Sequence, residues 1–157
     1  MLPQFRKWIL VNNSGQLLTY NGDPGGRINL KQTAYSISPS TGLIAYTQIT
    51  DDDLGFVGGS SLANGAEIVG DIEYDNTINK YIGLQVQLEV THDEGAAIVA
   101  GGVFDLYIDG GDATGDLSSD STGYGSAEAS ALQLIGSMVC DPNVADDEVI
   151  RSAVWEL

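Results

Sequence analysis

YIGLQVQLEV, residues 81–90, decides the fold. Ile82, Leu84, Val86, Leu88 and Val90 alternate there with Gly83, Gln85, Gln87 and Glu89. Residues that swap character at every step place one kind on each side of an extended chain, so the stretch reads as a strand with one buried and one wet face. VFDLYID, residues 103–109, repeats the pattern, with Phe104, Leu106 and Ile108 opposite Asp105 and Tyr107. The intervening HDEGAAIVAGG is acidic and glycine-bounded, which predicts that the two strands pair as an antiparallel hairpin with a loose connection.

Working outward, KWILV, the turn NNSG and QLLTY predict a hairpin in which Asn13, Ser14 and Gly15 supply the turn conformations. RINLKQTAYSI and LIAYTQIT, joined by SPSTG, predict a second. Downstream, ALQLIGSMVC and VIRSAVWEL flank DPNVADDE; Val149, Arg151, Ala153, Trp155 and Leu157 are expected on one side of a last strand that lies at an edge or under a neighbouring subunit. Only SAEASALQLIGSM has the composition of a short helix. Residues 51–79 hold a short strand at AEIVG and otherwise read as loop, and a connection of that length suggests an extended arm. The expected fold is all-β: an antiparallel β-sandwich or jelly-roll-like domain over residues 1–157, with a hairpin segment at 1–31 and a long loop or arm at 51–79.

Composition agrees with many turns between short strands, since 20 of 157 residues are glycine against a usual share of about 7%. Acidic residues outnumber basic ones 22 to 6, for a net charge of −16. A surface of that sign repels phosphate, so nucleic acid and anionic membrane are excluded as expected partners. The charge is uneven. Residues 1–31 carry Arg6, Lys7, Arg27 and Lys31 against Asp23, net +3, and the rest of the chain is net −19. Such asymmetry suits an N-terminal segment that docks on an acidic surface, with Phe56 in the arm as an apolar anchor. A single cysteine, Cys140, allows no intramolecular disulfide, and no apolar run approaches the roughly 20 residues of a membrane helix. The expectation is a soluble protein made in a cytoplasm.

DGGDATGDLSSDSTGYG, residues 109–125, is the richest candidate for chemistry. Its aspartates stand at 109, 112, 116 and 120, which fits neither the alternate-position ligands of an EF-hand nor a glycine-periodic Ca²⁺ repeat. The main reading is a solvated connection; a metal reading would use Asp109, Asp112 and Asp116, and oxygen-rich loops of this kind take up Ca²⁺ adventitiously. No cofactor is expected. Asp51, Asp52 and Asp53 read as a solvated turn. His92 is the only histidine, and no G-x-S-x-G elbow accompanies it, so no hydrolase relay is expected. Carboxylate pairs for glycoside hydrolysis carry no information in a chain with 22 acids. Cys140 ends an apolar run and reads as a small buried hydrophobe. Trp8, Trp155 and Tyr81 would make a carbohydrate platform if exposed, but their apolar strands favour the core.

VNNSGQLLTYN, AYTQITDDDLGF, GDIEYDNTINKYIGLQVQLEVTHDEGAA and GGVFDLYID together resemble small virion structural proteins of tailed bacteriophages. Asp75, Asn76, Thr77, Asn79, Tyr81, Gly83 and Leu84 match a segment that opens a strand in that family, and Gly102, Phe104, Asp105, Leu106 and Tyr107 match a strand that follows an acidic loop. The resemblance implies a non-enzymatic β-sandwich of the virion, foremost a capsid decoration or cement protein. Its partners would be the major capsid protein or other virion proteins, together with further copies of itself in a homo-oligomer. The alternatives are a neck or tail component and a carbohydrate-binding, receptor-binding module.

Overall fold

The computed structural model describes residues 2, 5–19, 28–49, 61–70, 74–78, 80–91, 101–111, 132–141 and 149–157. Every regular element among them is a strand, and the strands form two antiparallel sheets packed face to face, the expected all-β sandwich. In the first sheet β1 (Phe5–Asn13) is central: β9 (Val103–Gly111) runs along one edge with β10 (Leu132–Val139) beyond it, while β6 (Glu67–Val69) and β7 (Tyr74–Asp75) share the other edge. In the second sheet β3 (Ile28–Ile37) pairs with β8 (Gly83–Thr91). Outside β3 lies β4 (Ile44–Ile49), and outside β8 lie β11 (Val149–Arg151) and β12 (Trp155–Glu156). A small pair, β2 (Leu18–Thr19) with β5 (Ser61–Leu62), completes the described strands.

The alternation that identified the strands also fixes their inward rows. Leu84, Val86, Leu88 and Val90 of β8 and Phe104, Leu106 and Ile108 of β9 are all buried in one core cluster with Trp8, Leu10, Leu30 and Ala34. Each large aliphatic or aromatic side chain removed from water in this way stabilises by about 1.5–3 kcal/mol. A polar link crosses the core: the Trp8 indole Nε1–H donates to Gln32 Oε1 at 3.2 Å, joining β1 to β3.

Strand partners differ from the expectation in two places. β8 and β9 lie in different sheets, so residues 81–90 and 103–109 do not form a hairpin. KWILV and QLLTY do not pair either, because β2 bonds to β5 while β1 takes β9, β6 and β7 as neighbours. Period-two alternation reports which face is buried and nothing about the neighbouring strand. The β3–β4 hairpin does form around SPSTG, with Gly42 at φ 69° donating its N–H to the Ser38 carbonyl at 2.8 Å.

Two further expectations are corrected. Residues 132–138 of the suggested helix are strand, where Gly136 lets β10 pass under the Trp155 indole. The last segment is two short strands and not one. Ser152 interrupts it: its N–H donates to the Leu88 carbonyl at 2.9 Å and its hydroxyl oxygen accepts from the Leu88 N–H at 2.9 Å. That break turns Ile150 into the core before it and lets Trp155 and Leu157 pack on the core after it, where a continuous strand would have kept Trp155 on the face opposite Ile150.

Candidate partner-binding surface

The four basic residues of the N-terminal segment do not form one patch. Arg6 points with Trp8 and Leu10 to the inner side of β1 and is only 2% exposed. Lys7 faces the opposite way, half-buried, and the β1–β9 register sets it directly across from Asp109. Lys31 stands on the outer face of the other sheet, where its Nζ lies 2.7 Å from Glu89 Oε1. Arg27 and Phe56 lie outside the described residues, as do Asp51, Asp52, Asp53 and His92.

Glu89 is the electrostatic centre of the second sheet. It sits on β8 between β3 and β11, and the same carboxylate oxygen that meets Lys31 also accepts from Arg151 Nε at 2.5 Å. Burial pushes its pKa up, but the hydrogen bonds and charges of Lys31 and Arg151 outweigh this and hold it below the usual glutamate range. The first sheet repeats the device with neutral partners. Asp105 on β9 accepts from Asn13 Nδ2 on β1 at 2.8 Å and from the Ser137 hydroxyl on β10.

Of the proposed metal ligands, Asp109 is buried at the end of β9, while Asp112 and Asp116 lie outside the described residues. Among the described residues, no group of three His, Cys, Asp or Glu side chains comes together. Burial raises the Cys140 thiol to about 11, so it stays protonated and unreactive near neutral pH. Trp8 is enclosed in the core, and Tyr81 and Trp155 are half-buried against it. No helix among the described residues is long and apolar enough to cross a membrane.

The loop that opens β8 owes its shape to residues matched by the resemblance. Asn76 clasps the backbone of Tyr81 from both sides, donating from Nδ2 to its carbonyl at 3.0 Å and accepting from its N–H at 2.8 Å. Asp75 caps the same turn, taking the Thr77 N–H at 2.7 Å and the Thr77 hydroxyl at 2.6 Å, and these bonds lower its pKa. Gly83, flat against the Tyr35 ring, lets the chain enter β8. Gly102 lies against the Ser14 backbone at the entry to β9.

A surface that charge reasoning missed lies at the free end of the second sheet. Leu43 is 68% exposed, Tyr46 63%, Ile44 55% and Ile37 52%, all on or beside the β3–β4 hairpin. The available signal was LIAYTQI, which alternates poorly and carries no charge. Compared with known proteins, the chain matches no family model, no curated protein and no solved structure.

Proposed function

We propose that this chain is a non-enzymatic structural protein of a phage virion, foremost a capsid decoration protein that binds the assembled head and stiffens it, made in the host cytoplasm and resident on the particle. The observation that carries the reading is where the resembling residues fall. Asp75, Asn76, Tyr81 and Gly83 shape the entry to β8, and Gly102, Phe104 and Leu106 build the entry and core row of β9. They stand at strand entries and in the core row, where a shared scaffold without shared chemistry would keep its residues. A rigid core, carboxylates that tie strands together within each sheet, and a net charge of −16 that keeps the particle soluble suit a role in adhesion.

The test is to mix the purified chain with heads stripped of minor proteins and sediment them. Saturable binding in whole-number ratio to lattice sites is expected. Lys7→Ala and Arg27→Ala belong in the same assay as probes of the basic segment; Arg6 is left out because its interior position would confound binding with folding. A chain that leaves every head in the pellet unbound overturns the decoration role and moves the weight to a neck or tail component or to glycan binding.

A further inference from the structure

β4 ends the second sheet, and the ladder fixes which of its groups face outward. The Ser38 N–H donates to the Leu43 carbonyl at 2.9 Å, and on the other side of β3 the Ile82 N–H donates to the Tyr35 carbonyl at 2.9 Å. Opposed residues in an antiparallel ladder alternate between bonded and non-bonded pairs. Both bonds therefore make Tyr35–Tyr46 a non-bonded pair. The N–H and C=O groups of Ile44, Tyr46 and Gln48 point away from β3, along an edge that no described strand occupies.

We propose that this edge is a self-association surface, on which a second copy of the chain lays its own β4 antiparallel across a two-fold axis. Soluble proteins guard such edges with charge, proline or a bulge. IAYTQI has no charged residue and no proline, and its register with β3 runs unbroken from Gln32–Ile49 to Ile37–Ile44. One edge strand of the other sheet is guarded: β10 carries a register shift between Leu134 and Gly136.

Charge selects the occupant. Residues 24–50 contain no Asp or Glu in a chain that has 22, and the carboxylates on strands of this sheet, Glu89 and Glu156, stand on β8 and β12, at least two strands from β4. Two bodies of charge −16 meet with less repulsion through β3 and β4, strands that carry none of that negative charge, than through strands that do. A two-fold axis then sets each outward N–H against an outward C=O of the copy and brings the exposed Ile44 and Tyr46 side chains of both copies onto one face. A six-residue ladder with its apolar fringe is a small interface, so association is expected to depend on concentration. The inference goes beyond head binding and does not rest on it: a chain that dimerises yet ignores heads keeps this proposal and loses the other.

Sedimentation equilibrium over a concentration series tests it. The mass should rise from 16.5 kDa towards twice that value, and more readily at higher salt, since screening relieves repulsion between the copies. Gln48→Pro removes an outward N–H without breaking a β3–β4 bond, and Tyr46→Lys places charge on the edge. Because each change acts twice across the axis, each should weaken dimerisation by about tenfold or more. In the unaltered chain, amide exchange at Ile44, Tyr46 and Gln48 should slow as concentration rises, a readout that needs no variant. A mass of 16.5 kDa at every concentration overturns the proposal. So does a dimer that both folded variants leave intact, or one whose β4 amides exchange at the same rate at low and high concentration.

Discussion

Asn12 is fully enclosed at the end of β1, and its amide group is used in full towards backbone. Nδ2 donates to the Gln16 carbonyl at 2.9 Å and to the Leu62 carbonyl at 2.8 Å, while Oδ1 accepts from the Ser14 N–H at 3.0 Å. One side chain thereby holds the turn after β1 and anchors the β2–β5 pair to the sandwich. Asn12→Ala strips the partner from the buried Ser14 N–H and Leu62 carbonyl and leaves the half-buried Gln16 carbonyl to the Ser14 hydroxyl, so a loss of about 3 kcal/mol is expected in urea unfolding. A loss below about 1 kcal/mol would mean that water replaces the amide there. Gly102→Ala fails for a steric reason. Its new methyl would meet Ser14 backbone, which cannot swing aside, so a loss of about 2–3 kcal/mol is expected from the same measurement. The sequence makes Asn13, Ser14 and Gly15 legible as turn residues, yet nothing local marks Asn12, because its partner Leu62 lies 50 residues away. Arg6 was illegible for a related reason: an arginine next to a lysine in an N-terminal strand looks like surface until the alternation is counted from Trp8.

At the scale of elements, alternation made the strands and their buried rows legible, and the loop SPSTG made one hairpin legible because its register is set locally. The neighbours of β1, β8 and β9 come from distant parts of the chain, and no local pattern encodes them. Glu89 shows the consequence. It occupies the polar row of β8, yet the strands on either side bring Lys31 and Arg151 to it and enclose it. Because its folded pKa lies below the ordinary 4.5, its contribution is fully present above that value and is lost as pH falls through the lower, folded-state value. Glu89→Gln keeps the shape and removes the charge. The variant should be less stable at neutral pH by about 1 kcal/mol, a modest figure because both cations are half-exposed, and the gap should close in acid, where the unaltered chain has lost the same charge. Melting curves at constant ionic strength measure both; a gap that stays constant down to acid would show that the carboxylate charge contributes nothing.

Across the whole molecule two electrostatic effects oppose each other, and their magnitudes decide the sign. Salt weakens the ion triad at Glu89, whose two cations are half-exposed and so contribute modestly. Salt also screens the mutual repulsion of a chain carrying −16, a cost spread over the entire surface and largest when the chain is compact. Repulsion among so many like charges outweighs one triad, so the melting temperature should rise as ionic strength goes from about 0.01 M to about 0.15 M, where the screening length shrinks from roughly 30 Å to 8 Å. Dimerisation would push the melting temperature the same way by mass action, so the measurement belongs in dilute Gln48→Pro protein, where the edge is blocked. Glu89→Gln should rise more steeply with salt than the unaltered chain, because it has lost the salt-sensitive attraction of the triad. A melting temperature that falls with salt in the Gln48→Pro protein would mean that local ion pairs, and not net charge, govern the stability of this sandwich.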